Sequence, residues 1–369
     1  MNIDNYDVYN ATLKVISPIH IGDGYEITKK EFILDKDKNK ILVLDIERLY
    51  GVFFKIGAVA KNEFENFLTD SQNTKTKISL KKFLSNYKIN HQEYLKYEIS
   101  SSLIKFNEHN IKTCIKNAFG CPFVPGSTIK GMIRSAIMAY TIANNSDLSK
   151  KIKKLIQDEL LNKPTNNSWK KLEMIISNEV VNILRKRDGI QPFSGLIITD
   201  SEPISKNSLC LAKKIDFLLD ESENALNIYN ESIASSSQVH FKLSIDKTKI
   251  TNVDIDYIQK ALDFFKNQIN KYYLKEFDGP NSFQEGYVFL GTAGFVTKTI
   301  VYQIFGEEAK NITWRIFKST MDEKIFKNHL SYEKRVTPHT LKCTEFENGS
   351  EELEFDSVGL AILSFTKVC

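Results

Sequence analysis

Lys130 and Arg134 stand four residues apart in Phe123-Val-Pro-Gly-Ser-Thr-Ile-Lys-Gly-Met-Ile-Arg134, a spacing that puts both cations on one helix face. Pro125-Gly126-Ser127 ends an extended segment, Ser127 reads as the N-cap, and apolar Ile129, Met132, Ile133, Ala136 and Ile137 continue at helical spacing. Free N–H groups and the dipole at such an N-terminus favour anions, so the chemistry offered is phosphate binding. Gly131 inside the helix costs about 1 kcal/mol against Ala, which makes sense where a backbone or ligand must come close. Taken alone, the same pattern also describes a capped helix with a solvated basic face. GxxxxGK[ST] is absent, so an ATPase or nucleotide kinase has no footing.

A second phosphate-holding pattern is Leu290-Gly-Thr-Ala-Gly294 followed by Lys298 and Thr299, where Gly291 and Gly294 let a backbone approach. His20, in Ser17-Pro-Ile-His-Ile-Gly-Asp-Gly24, titrates near neutrality and could serve metal-free RNA cleavage as general acid or base. A lone His more often packs structurally, and no partner stands near it in sequence. Asp200, in Ile197-Ile-Thr-Asp-Ser-Glu-Pro203, reads as a turn-capping carboxylate. GxSxG and HExxH are absent.

The elements that must position these residues follow from periodicity. Tyr9 to Ile16 alternates as a strand, Glu31 to Leu34 and Ile41 to Leu44 form a hairpin, and Asp45 caps a helix to about Ile56. Short helices are expected over Glu63 to Leu68 and Leu80 to Ser85, then a strand over Tyr94 to Phe106. Lys75, Lys77, Lys81, Lys82 and Lys88 form an acid-free run that reads as a solvated face or as a polyphosphate-facing patch. Ser149 to Leu161 and Trp169 to Arg185 read as a helical insertion spanning about 147–187. Strands over 196–199, 209–215, 228–233 and 239–245 lead to a long helix from Ile255, a Gly-punctuated segment, a helix over Phe295 to Phe305, and a last strand over Val358 to Phe365. The pattern predicts an α+β chain of two units, 1–190 and 191–369, each an antiparallel ferredoxin-like (RRM-like) sheet with helices on one face.

Composition limits the remaining classes. A chain of 369 residues with 42% hydrophobic and 26% charged residues is globular, with length for roughly two to three domains. The net charge is +4, so a polyanion must be met by local patches, and with six Arg in the chain most phosphate contacts fall to Lys. Five scattered Cys without a CxxC pair predict a reducing cytoplasm, and no His or Cys sits at zinc-site spacing, so no metal or cofactor is expected. The longest apolar stretch, Gly51 to Ala60, is broken by Lys55 and far short of a membrane span, and no secretory signal is expected.

In this order, Ser17-Pro-Ile-His-Ile-Gly-Asp-Gly24, Ala118 to Arg134, Ile198-Thr-Asp-Ser-Glu-Pro203, Tyr229-Asn-Glu-Ser-Ile233, Leu290 to Thr299 and Pro338-His-Thr-Leu-Lys342 resemble one family across nearly the whole chain. The sequence resembles the fifth subunits of the Csm effector complex of type III-A CRISPR systems, within the RAMP superfamily, whose PGSxxKGxxR block it carries. The resemblance implies two RAMP domains and a non-catalytic crRNA-binding subunit. That subunit caps the filament at the guide 3′ end, is required for 3′ maturation in antiviral defence, and has other Csm subunits and host ribonucleases as partners. It places RNA contacts at Gly126, Ser127, Lys130, Gly131, Arg134, Gly291, Gly294, Lys298, Thr299, His20 and Lys342. The alternative is a metal-independent RAMP endoribonuclease using His20. The family's Gly-rich loop resembles GxGxGxxxKT, whereas this one is a residue shorter with Ala293 at a glycine position, which ranks Lys130 and Arg134 above it.

Overall fold

Alternating and helical runs become elements in the expected order. The computed structural model describes residues 5–70, 78–101, 106, 109–158, 165, 167–219, 223–277, 286–290, 296–333, 335–347 and 353–368. Strands β1 (Tyr6–Val15), β2 (Gly22–Ile27), β3 (Phe32–Asp35) and β4 (Lys40–Leu44) precede helices α1 (Ile46–Ile56), α2 (Ala58–Thr69) and α3 (Leu80–Asn86). Next, β5 (Leu95–Ser100) and β6 (Ile111–Cys114) lead to α4 (Gly126–Ala143), α5 (Ser146–Ile156) and α6 (Ser168–Leu184). Then β7 (Leu196–Ile198), β8 (Leu209–Leu218), β9 (Glu223–Ile233) and β10 (Gln238–Asp246) run into α7 (Ile255–Tyr272). After β11 (Tyr287–Phe289) come α8 (Val296–Phe305), α9 (Ala309–Thr320), α10 (Glu323–Phe326), β12 (Thr340–Glu347), β13 (Leu353–Ser357) and β14 (Leu360–Lys367).

One sheet has the order β11-β14-β1-β10-β7 and is antiparallel throughout. With α4 between β1 and β7, and α7 between β10 and β14, this is a β-α-β-β-α-β ferredoxin-like unit with β11 added at its edge. Helices α4 and α7 bury Ile129, Ile133, Ile258 and Phe265 in the core that also holds Leu13, Leu243 and Leu363. The Tyr140 and Tyr257 rings meet edge-on at 5.0 Å. Helices α5 and α6 join that core through Leu148, Ile152, Leu172 and Ile176.

The second sheet runs β2-β6-β9-β8-β5-β4-β3, with β12 pairing β8 and β13 pairing β12. Its β4 is buried on both faces. Leu42 and Leu44 pack under α1–α3 with Phe53, Phe64, Phe67 and Phe83, while Ile41 and Val43 meet Phe32, Ile99 and Ile111 on the other side. Asp45 caps α1 as expected, accepting the Arg48 N–H at 3.0 Å.

Several expectations are corrected. Both sheets take strands from either side of residue 190, because β1 finds its hydrogen-bonding neighbours in β10 and β14 from the far half of the chain. The second sheet is mixed, since β5 meets β8 and β6 meets β9 in parallel. β2 escapes a periodicity reading because Gly22-Asp-Gly-Tyr-Glu26 has no apolar alternation and lies exposed. Of the Lys run, Lys75 and Lys77 lie outside the described residues, and Lys81 and Lys82 are exposed on α3. No helix among the described residues is long and apolar enough to cross a membrane.

Candidate nucleic-acid interface

Sheet register gathers the sequence motifs at one end of the ferredoxin-like sheet. Lys14 pairs with Gln238, Val15 with Ala361, Ile198 with Leu243 and Phe289 with Leu360. The C-terminal ends of β1, β7 and β11 and the starts of β10 and β14 therefore lie together. Ser17, Asp200 and Leu290 each follow those ends within two residues, and α4 begins there too.

The start of α4 is welded to the end of β7. Ser201 Oγ accepts the Val124 N–H at 2.9 Å, and Ser201 N–H donates to the Val124 carbonyl at 3.0 Å. Gly126 is required by close approach: a Cβ there would lie 2.4 Å from the Ile198 carbonyl oxygen. Its N–H donates to Asp200 Oδ1 at 2.8 Å. Pro125, not Ser127, occupies the cap position, and Ser127 is exposed in the first turn. Asp200 thus does from β7 what the expected Ser127 cap was to do locally.

Beyond that turn lies a cation cluster. Lys130 is half-buried, and its pKa is lowered first by burial and then by Arg134 and Lys249. Among the described residues no carboxylate forms an ion pair with it. The Arg134 guanidinium donates to Ser177 Oγ at 2.6 Å and lies 5.2 Å from the centre of the Phe193 ring. Gly131 is exposed, and a Cβ there would meet nothing within 4 Å. Gly131, Arg134, Ser177 and Ile300 line a groove of about 280 Å³ that joins α4 to α6 and α8. Ile300, next after Thr299, thus brings the first turns of α8 to that groove.

At the second pattern, Leu290 N–H donates to the Gly359 carbonyl at 2.8 Å. Gly359 has φ +76°, and a Cβ on it would fall 1.8 Å from the Leu290 oxygen, so only glycine fits this approach. Gly291 and Gly294 lie outside the described residues, as does the side chain of Lys298 on α8. Thr299 is 2% exposed and packs inward, so its hydroxyl is not offered at the surface. Lys342 is half-buried on β12, opposite Asp216.

His20 belongs to another neighbourhood. Its Nδ1 lies 2.8 Å from the Glu231 carbonyl, and its Nε2 faces Gly22, where a Cβ would be 3.2 Å away. Burial holds the ring below its ordinary pKa, against the raising effect of Glu231. Glu231 is fully buried, accepts the Cys114 N–H at 2.8 Å and pairs with Lys116. Burial and the Glu231 carboxylate push the Tyr97 phenol far up. Among the described residues, no three His, Cys, Asp or Glu are grouped to hold a metal ion.

Sequence reasoning missed Lys249 as a neighbour of Lys130, and the Lys116–Glu231 pair. The Asp246-Lys-Thr-Lys249 turn after a strand signals the first only once β10 is placed beside β7. An acid in the middle of the strand ending Tyr229-Asn-Glu-Ser-Ile233 was the available sign of the second.

A ferredoxin-like sheet with these motifs at one end defines the class, and the chain belongs to the RAMP superfamily, which it matches over residues 12–318. Its curated relatives are named Csm5. "CRISPR system Cms protein Csm5" of Streptococcus thermophilus is 24% identical over 363 residues, covering 95% of this chain and 93% of that protein. The Mycobacterium tuberculosis protein of the same name is 21% identical over 367 residues, covering 92% and 94%. Among solved structures, the crystal structure of T.onnurineus Csm5 superposes with TM-score 0.59 at 20% identity, over 82% of this chain and 96% of that one. One chain of the cryo-EM Csm-crRNA-target RNA ternary complex of a type III-A CRISPR-Cas system superposes with TM-score 0.62 at 19% identity, over 96% and 100%.

Proposed function

We propose that this chain is a crRNA-binding subunit of a type III-A Csm effector complex, assembling with other Csm subunits. In this reading it caps their filament at the guide 3′ end and serves 3′ maturation in antiviral defence without cutting RNA itself, the trimming being left to host ribonucleases. The observation that carries the reading is the correspondence along 95% of the chain with a Csm5 protein. Lys130, Arg134 and Lys249 add a physical reason: a partly desolvated cation cluster beside an exposed Gly131 lowers its self-repulsion by taking a phosphate. We assign sequence-independent guide contacts to that cluster, and a further one to Lys298 of α8. The non-catalytic assignment is supported by His20, whose Nδ1 is taken up by the Glu231 carbonyl at 2.8 Å.

The test is titration of labelled mature guide RNA with the protein in EDTA over a salt series. Affinity is expected to fall with a log–log slope of about −0.7 per phosphate contact. Lys130→Ala with Arg134→Ala should flatten that slope by about 1.4. An unchanged affinity and slope would remove α4 from the interface. Discrete cleavage that disappears in His20→Ala would replace the reading with a metal-independent endoribonuclease.

A further inference from the structure

The cleft between the end of β2 and the loop after β6 combines exposed aromatic rings with unpaired cations. Tyr25 is 75% exposed and Phe119 is 81% exposed, and both line a cleft of about 680 Å³. That volume falls within the range of roughly 300–1,000 Å³ typical of small-ligand sites.

Built structure orders the backbone that carries both rings. Asn117 Oδ1 accepts the Phe119 and Cys121 N–H groups, each at 3.0 Å, and Gly120 N–H closes the turn on the Asn117 carbonyl at 2.9 Å. Beneath it, the Lys206 side chain lies 3.4 Å from where a Gly120 Cβ would be. Tyr25 sits on the irregular stretch of β2, where Asp23 Oδ1 accepts its N–H at 3.0 Å and the Thr113 hydroxyl donates to its carbonyl at 3.2 Å. Two large aromatic surfaces presented to water suit a planar partner that stacks.

The charges choose what enters. Lys96 and Lys206 line the cleft with no ion pair among the described residues, whereas Lys116 is already bound to Glu231. Asp23, Glu26, Glu31, Asp45 and Glu47 line it too, so its interior repels phosphate and offers acceptors to ring N–H and amino groups. A protein hot spot would instead need a mostly apolar, charge-depleted floor.

Resting on the RNA-binding reading above, we propose that this cleft receives an unpaired base of single-stranded RNA, stacked on Phe119 or Tyr25. The backbone of that nucleotide stays outside, at Lys96 and Lys206. The site is separate from the Lys130 cluster, and its two aromatic rings act through stacking.

The experiment is anisotropy titration of full-length protein with labelled single-stranded guide RNA over a salt series. The proteins compared are the wild type, Tyr25→Ala with Phe119→Ala, Phe119→Trp, and Lys130→Ala with Arg134→Ala. The double aromatic variant is expected to weaken binding about tenfold or more with an unchanged salt slope, and Phe119→Trp to bind as well as the wild type. Unchanged affinity in the double aromatic variant, while the Lys130/Arg134 variant loses slope, would overturn the cleft and leave the RNA reading standing. Failure of the wild type to bind RNA would overturn both. Unchanged RNA affinity with loss of co-purifying Csm subunits would make the cleft a protein-docking site and overturn the proposal.

Discussion

The carboxylate of Asp200 accepts the Gly126 backbone N–H at 2.8 Å, so the N-terminus of α4 already carries an anion supplied by the protein. In the proposed function, a guide phosphate falls instead to side chains one turn further along, Lys130 and Arg134, with Lys249 added from the turn after β10. The dipole of α4 is met by a carboxylate of the fold itself, and the lysine and arginine stand clear of that contact.

Asp200→Ala should lower stability by about 1 kcal/mol, the usual loss on removing a helix cap. Asp200→Asn should retain most of that stability. Urea denaturation followed by circular dichroism checks both.

Two glycines of the same helix should respond with opposite signs. Gly126→Ala drives a Cβ into the Ile198 carbonyl and should cost about 2 kcal/mol, whereas Gly131→Ala meets open space and should stabilise by up to about 1 kcal/mol. If the RNA backbone runs over Gly131, that same variant will bind guide RNA less tightly although it melts higher. Thermal melts and RNA titration on the same preparations separate the two effects.

Lys249→Ala should weaken guide binding and flatten the salt slope by about 0.7. Its Nζ also lies 3.4 Å from Asp246, so Lys249→Arg, which retains the charge, serves as the control. An Ala variant with the wild-type slope would take Lys249 out of the interface.

Lys116→Met leaves the fully buried Glu231 carboxylate without its cation and should destabilise the protein by about 3 kcal/mol. Adding Glu231→Gln should recover part of the loss, because the uncompensated charge goes with it. A double-mutant cycle in urea measures the coupling.

His20 is held below its ordinary pKa of 6.5, so the unfolded chain binds its proton more readily than the folded one. Its contribution is complete above 6.5 and is lost as pH falls from there toward the folded value. His20→Asn should flatten that part of the stability–pH curve, measured by urea midpoints at successive pH values.

Locally encoded features were legible in the sequence: the 32–44 hairpin, the Asp45-capped α1, the apolar stripe of α4 and the long α7. Each is decided by residues within a few positions of one another, and the motif order along the chain pointed to the family. Pairing was not legible. Tyr9 meets Lys367 and Leu13 meets Leu363 across almost the whole chain, and a strand's alternation states which face is buried without naming its partner. That pairing makes one ferredoxin-like unit from both ends of the chain, and it decides the cluster as well. Lys249 reaches Lys130 because β10 lies beside β7, and Asp200 caps α4 because β7 ends beneath it. Residue types capable of holding RNA were set by the sequence alone. Their meeting at one end of one sheet came from long-range hydrogen-bond pairing, which only the folded chain satisfies.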